Sequence, residues 1–277
     1  MTHKMISGRT EPLVQIDWTD RKAYSWLTAL PLRSFAWEVV RRLPAYGTAW
    51  ARAASMQTSE EIEPGFQVLI LMRESTAATT WGLLGPLEDP RRDARTANVF
   101  WDPMVCPAVL PALALPTEGE GNIDLLPRGH SYRGALYEQV RTGRQHVLFA
   151  EQGRFLQLDV RGTPVLKAGR LLPDILSSAE NVSARACAAR QLTDLVRHRA
   201  LRSQAHPPAT QGPRLTTVLQ ALDGDLAGAS RRDIAIALFG LEKVQAGWRT
   251  RTMRDKVANA VKYGKFLLDG GYRKFLR

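Results

Sequence analysis

The clearest periodicity in the chain lies toward its C-terminal end. Leu215, Val218, Leu219, Leu222 and Leu226 recur at the spacing that gathers apolar side chains on one face of an α-helix. Gly228 ends that helix or opens the loop after it. Ser230 stands three residues before Asp233, a capping-box spacing. Ile234, Ala235, Leu238 and Phe239 then continue as a short second helix stopped by Gly240. After Leu241 to Trp248, Thr250 is placed as the N-cap of a third helix. The inner side of that helix carries Met253, Val257, Ala260, Val261, Gly264 and Leu268.

Upstream the pattern is mixed. Trp26, Leu27 and Leu30 fit a short helix ended by Pro31. Phe35, Trp37, Val39 and Val40 fit a second, with Ser34 as its N-cap and Pro44 near its stop. Residues 51–64 read as helix end and linker, and Phe66 to Met72 (FQVLILM) as a short buried strand. Residues 82–128 are rich in Gly and Pro and show no sustained period; the prolines of Phe100-Trp-Asp-Pro-Met-Val-Cys-Pro disfavour helix in the residues before them. Ser131 to Thr142 is placed as a helix with Leu136 and Val140 on one face. His146 to Ala150 and Arg154 to Val160 read as a half-buried hairpin joined by Glu-Gln-Gly-Arg. Leu171 to Leu201 reads as helix in one or two pieces, and the Pro-containing stretch 203–213 as a linker.

Charge adds a second layer to this pattern. The 277-residue chain carries a net +11, and its distribution is uneven. From Gly228 onward there are 12 Lys and Arg against 4 Asp and Glu, a net +8; residues 1–227 hold 26 against 23, a net +3. A disordered basic tail would be poor in large apolar residues, whereas this one contains Ile234, Leu238, Phe239, Trp248, Val257 and Phe266. It is read as a folded basic unit. At about 100° per residue, the outer side of the third helix presents Arg251, Asp255, Ala258, Asn259 and Lys262, flanked by Arg254 and Lys265. Arg suits guanine O6 and N7, Asn suits adenine N6 and N7, and Lys neutralises phosphates. The candidate DNA-contacting residues are therefore Arg231, Arg232, Arg249, Arg251, Arg254, Asn259, Lys262 and Lys265, with Arg273 and Lys274 placed to reach the DNA backbone.

The expected fold class is α+β. Residues 1–64 form an aromatic-rich helical domain, 65–202 a central α+β region with an antiparallel hairpin, 203–213 a linker, and 214–277 a helix-turn-helix DNA-binding domain. The aromatics Trp18, Tyr24, Trp26, Phe35, Trp37, Tyr46 and Trp50 are read as core, with a partner-docking surface as the alternative.

Ser230-Arg-Arg-Asp-Ile-Ala-Ile-Ala-Leu-Phe-Gly, Gly247-Trp248, Met253-Arg-Asp-Lys-Val and Gly270-Gly-Tyr-Arg-Lys-Phe-Leu resemble the DNA-binding domain of the type VI secretion transcription-factor family. That domain is similar in turn to activators and antiactivators of integrative and conjugative elements in proteobacteria. Asp17-Trp18-Thr-Asp with Tyr24, then Phe35-Ala-Trp37-Glu38 and Arg41-Arg42-x-Pro44-x-Tyr46, is similar to the transcriptional-regulator-like domain often found ahead of it. The resemblance spans residues of about 17–50 and 105–277. It implies regulation of transcription without fixing its sign, and carries over no base-contacting residue.

The leading expectation is a DNA-binding transcriptional activator. It would bind double-stranded DNA as a homo-oligomer and contact RNA polymerase or another regulator. The alternative is an antiactivator that binds another regulator and no DNA. An enzyme is disfavoured. His3, His130, His146, His198 and His206 have no metal-type spacing, and HExxH, GxSxG, P-loop and Rossmann fingerprints are absent. No cofactor is expected. Cys106 and Cys187 are too few for a disulfide framework, no apolar run reaches the length of a membrane span, and the first residues lack a secretory pattern. The expected location is the cytoplasm, away from membranes.

Overall fold

The computed structural model describes residues 14, 16–116, 124–139, 141–249 and 251–277. Two layers of chemistry organise it: a seven-stranded mixed sheet in the middle of the sequence, and a helical body built from both ends.

The sheet contains β1 (Gln57–Glu63), β2 (Phe66–Leu71), β3 (Leu110–Leu115), β4 (Arg133–Gln139), β5 (Arg144–Glu151), β6 (Arg154–Gly162) and β7 (Arg170–Pro173), in the order β1-β2-β4-β5-β6-β3-β7. The expected β5–β6 hairpin is present. Its turn places Gln152 at φ 49° and Gly153 at φ 80°, the positive values that a two-residue hairpin turn of this hand requires. The hairpin is not half-buried, however: as the centre of the sheet it is covered on both faces. Leu136, Val147, Phe149, Leu158 and Val160 lie under α3 (Val182–His198), which inserts Ala188, Leu192 and Leu195. Ala135, Tyr137 and Leu148 on the other face lie under Phe100 and Leu84. Gln157 holds that cover down, accepting from the Trp101 amide at 2.8 Å and donating to the Trp101 carbonyl at 2.8 Å.

Several sequence expectations are corrected here. Residues 131–142 hold β4, not a helix. Gly134 to Tyr137 pair with both β2 and β5, and burial on both faces removes the alternation that marks a strand. Val140 lies outside the described residues. The 51–64 stretch contains β1, a polar edge strand (QTSEEIE) with no apolar period to betray it. The Gly/Pro-rich 82–128 region contains β3, in which Pro111 pairs opposite Asp159. The first part of 171–201 is β7, so the helix there is the single α3.

The helical body begins with a 3₁₀ segment Arg21–Ala29, then α1 (Leu32–Val40) and α2 (Pro44–Ala53). Pro44 opens α2 instead of closing α1, because a missing N–H is harmless at a helix's first position. Pro31, not Ser34, is the N-cap of α1, and the Ser34 hydroxyl donates to the Gly153 carbonyl. Trp37, Tyr46 and Trp81 meet edge to face at 5.5 and 5.2 Å. Tyr24, Phe35, Trp37 and Tyr46 are fully buried, so most of the aromatic stripe is core.

This core is shared with the C-terminal helices α4 (Gly212–Leu226) and α7 (Arg251–Leu268). Leu215, Val218, Leu219, Leu222 and Leu267 join the same cluster as Tyr24, Leu27 and Trp37. Gln220 donates to the Trp18 carbonyl at 3.0 Å, and Tyr272 to the Trp81 carbonyl at 3.0 Å. Residues 203–213 lie against the body: Ala205 and His206 are buried, and the Ala209 amide donates to the Leu30 carbonyl at 2.9 Å. Among the described residues no helix is long and apolar enough to cross a membrane.

A buried ionic network closes this joint. Arg42 donates through Nε to Asp223 Oδ1 at 2.8 Å, through Nη2 to Asp223 Oδ2 at 3.0 Å, and through Nη1 to Glu38 Oε2 at 2.9 Å. Tyr24 adds its hydroxyl to Asp223 at 2.7 Å, and Arg41 donates to Glu38 at 2.8 Å. Burial alone would raise the Glu38 pKa, but the Arg41 and Arg42 guanidiniums outweigh it and hold the carboxyl below its ordinary value. Arg42→Met leaves Asp223 without a charged partner and Glu38 with Arg41 alone, and urea unfolding should show a loss of about 3–5 kcal/mol.

A pH effect is expected at His206. Its Nδ1–H faces the Arg202 carbonyl at 3.2 Å, its Nε2 has no partner, and burial lowers its pKa from 6.5 to about 4. Between those values the unfolded chain binds the extra proton, so stability falls as pH drops from 6.5 toward about 4. His206→Gln should flatten that limb in thermal melts across the same window.

Candidate nucleic-acid interface

The basic unit is built on α4, α5 (Arg231–Phe239), α6 (Leu241–Gly247) and α7. Ser230 caps α5 as its spacing predicts: its Oγ accepts from the Asp233 amide at 3.2 Å and donates to the Asp233 carboxylate at 2.6 Å. Gly240, at φ 87°, is the whole connection between α5 and α6, a backbone region that side-chain-bearing residues rarely adopt. Ile234, Ala235, Leu238, Val244, Val257 and Val261 form the small core that these helices enclose. Thr250, expected to cap α7, lies outside the described residues.

Gly264 lets α7 cross α4 closely. A Cβ added there would stand 3.0 Å from Leu222 Cβ. The inner face of α7 therefore buries Val257, Val261, Gly264 and Leu267, with Met253 and Ala260 half-buried beside them. All eight sequence-derived candidates, Arg231, Arg232, Arg249, Arg251, Arg254, Asn259, Lys262 and Lys265, are exposed.

Their surroundings divide them. Lys265 Nζ lies 2.8 Å and Arg231 Nη2 3.6 Å from the Asp225 carboxylate, so these two tie α5 and α7 to the end of α4. Arg251 stands 3.6 Å from Asp255 in a fully solvated pair, which screening weakens. Arg254 donates to the Arg249 carbonyl at 3.3 Å. Among the described residues, Arg232, Asn259 and Lys262 make no side-chain hydrogen bond or ion pair. The outer face of α7 thus brings Arg251, Arg254, Asn259 and Lys262 onto one exposed surface about 16 Å long, at 1.5 Å per residue.

Arg273 and Lys274 are placed differently from the sequence expectation. Arg273 donates to the Thr80 carbonyl, and Lys274 lies over the Tyr263 ring at 4.5 Å, with Arg214 over the same ring at 5.0 Å. Lys243 and Lys256 are further exposed cations, absent from the sequence-derived set. Lys256 sits at the margin of the buried stripe of α7, and Lys243 lies on α6, whose apolar pattern is too short to give a face.

A mixed α+β body that ends in a basic, outward-facing helix has the form of a DNA-binding regulator of transcription. Comparison with known families agrees: residues 175–277 match the family described as "T6SS, Transcription factor, DNA binding domain", and residues 17–84 match the "Proteobacterial transcriptional regulator-like domain". The chain thus carries two segments similar to regulatory domains, one to a transcriptional-regulator-like domain and one to a DNA-binding domain of type VI secretion transcription factors. The longer match starts ahead of α3 and so takes in more than the four helices described above. No match was found among the curated proteins compared.

Gly264→Val should push α7 off Leu222 and lower stability by about 1–3 kcal/mol, as overpacked contacts do. Urea unfolding checks this, and Gly264→Ala, which asks Leu222 to give only slightly, should lose less.

Proposed function

We propose that this chain is a transcriptional activator that binds double-stranded DNA through a helix-turn-helix formed by α5 to α7, with α7 in the major groove. The observation that carries this reading is the outer face of α7. Arg251, Arg254, Asn259 and Lys262 are exposed together there, on a helix whose opposite face is locked into the core. Arg251 and Asn259 have the chemistry to read base edges, while Lys262 and Arg254 neutralise phosphates. Arg231 and Lys265, held by Asp225, support the helix and add positive field at its rim. Arg232 and Arg249 extend that field along the same unit. In a bacterial cytoplasm such a regulator would act as a homo-oligomer on repeated half-sites and engage RNA polymerase. The burial of Tyr24, Phe35, Trp37 and Tyr46 favours this reading over the antiactivator one, since it leaves only Trp18, Trp26 and Trp50 of the aromatic stripe half-buried.

Binding-site selection followed by gel shift tests this reading. The wild-type chain should retard a selected duplex at low salt. Arg251→Ala with Lys262→Ala should weaken retardation and, with the one phosphate contact of Lys262 lost, reduce the log–log salt slope by about 1. Asn259→Ala should cost about 1–3 kcal/mol on the selected site and little on unrelated DNA. Retardation absent at low salt, or unchanged in the double variant, would overturn it.

A further inference from the structure

One region of the sheet holds buried polar groups beside an open cleft. Tyr137, His146 and Asp159 sit in register across β4, β5 and β6, on the face that Phe100 and Trp101 cover. His146 and Asp159 also line the floor of an open cleft of about 1760 Å³. The 102–107 loop, the edge strand β7 and the first turn of α3 form its walls.

The floor holds polar atoms without partners. His146 and Asp159 are each 2% exposed, yet both imidazole nitrogens and Asp159 Oδ1 make no hydrogen bond. The two groups stand 3.8 Å apart, beyond hydrogen-bond length. Asp159 takes one bond from Arg144 at 2.7 Å, which leaves Arg144 Nε also unpaired. Leaving buried donors and acceptors unsatisfied costs about 1–3 kcal/mol each, so a cluster of four such atoms at one point is what a ligand-binding floor looks like before it is filled. Burial favours the neutral imidazole, which presents one donor and one acceptor.

The lining carries six guanidiniums against five carboxylates. Glu74 accepts from the Tyr137 hydroxyl at 2.8 Å, Asp102 from the Met104 amide at 2.9 Å, and Asp174 from the Ser177 amide at 3.0 Å, with Arg161 and Arg185 near it. Arg33 and Arg161 line the same cleft and make no ion pair or hydrogen bond among the described residues. Arg185 donates to Ser177 at 2.6 Å and keeps a buried, unpaired Nε. The N-terminus of the 17-residue α3 has no side-chain cap, and its Ser183 and Ala184 line the cleft. Guanidinium groups and an open helix N-terminus both suit a phosphate. Asp159 Oδ1 and the neutral imidazole, in contrast, call for a hydroxyl.

We propose that this cleft binds a small phosphorylated polyol, with the phosphate toward Arg161, Arg185 and the start of α3 and a hydroxyl on Asp159 and His146. A cleft this large exceeds the roughly 300–1,000 Å³ of an ordinary small-molecule pocket, so the ligand occupies its floor. This site is independent of the DNA-binding reading and stands or falls without it.

Calorimetric titration of the full chain with ribose 5-phosphate, inorganic phosphate and ribose tests the proposal. Ribose 5-phosphate should bind saturably at one site per chain, and at least about tenfold more tightly than either fragment, since it alone offers both groups. Arg161→Gln, a surface change that spares the core, should weaken it at least about tenfold, or by about 1.4 kcal/mol. His146→Gln should do the same while circular dichroism stays unchanged. No saturable binding up to about 10 mM, which corresponds to about 2.7 kcal/mol of affinity, would overturn the proposal. So would inorganic phosphate binding equally well, or binding insensitive to Arg161→Gln but abolished by Arg251→Ala with Lys262→Ala, which would place it on the DNA-facing helix.

Discussion

The placement of Arg42 between Glu38 and Asp223 is the constraint on which the arrangement of the two ends of the chain depends. A guanidinium with a 1% exposed side chain has lost its water, and the attraction of one carboxylate does not by itself repay that loss. Here two carboxylates, one from α1 and one from α4, take three of its nitrogens, and Tyr24 fills the second lone pair on Asp223 Oδ2. The geometry is satisfied at one relative placement of α1 and α4. Hydrophobic contact between Leu27, Val40, Leu219 and Leu222 would tolerate sliding; a three-way charged hydrogen-bond network does not.

The consequence reaches the basic face. α4 carries two carboxylates near its end, on opposite sides. Asp223 points inward to Arg42, while Asp225 points outward to Arg231 and Lys265. One helix therefore joins the buried network to the orientation of α5 and α7. Gly264 completes the transfer, since its missing Cβ brings α7 against Leu222. The two segments that match regulator families are thus parts of one packed body, and the exposed residues of α7 project from a fixed support.

What was legible in the sequence follows from where water remains. Helices α4, α5 and α7 each have one wet face, so their period, the Ser230 cap and the Gly240 stop could all be read directly. The β5–β6 hairpin announced itself through its turn. Strand β4 did not, because Tyr137 and Leu136 are buried on opposite faces and a doubly covered strand has no polar alternation. β1 failed for the converse reason: an edge strand of Gln, Thr, Ser and Glu looks like a linker until its partner β2 is known. The inner and outer faces of α7 were readable. The intramolecular uses of Lys265, Arg273 and Lys274 were not, since their partners Asp225, Thr80 and Tyr263 come from other elements or from a pairing that only the fold creates. The polar floor at His146 and Asp159 was hidden in the same way. It reads as ordinary strand alternation until the fold places it beside the cleft.

The cleft and the shared helical body adjoin, with Arg33 and Arg277 among the residues they share. Arg33 belongs to α1, five residues before Glu38, and Arg277 follows the 3₁₀ segment that Tyr272 anchors to Trp81; both line the cleft. A ligand on the sheet would therefore contact the same elements that set α4 and, through α4, the exposed face of α7. Coupling between two such sites is a difference in binding free energy and is reciprocal by necessity. If a ligand in the cleft changes DNA affinity by some factor, DNA changes the ligand's affinity by the same factor. The path from Arg33 runs along α1 to Glu38 and continues to Asp223 through the charged hydrogen bonds of Arg42. Its energy depends steeply on distance, so even a small shift of α1 toward the cleft has a specific contact to lose.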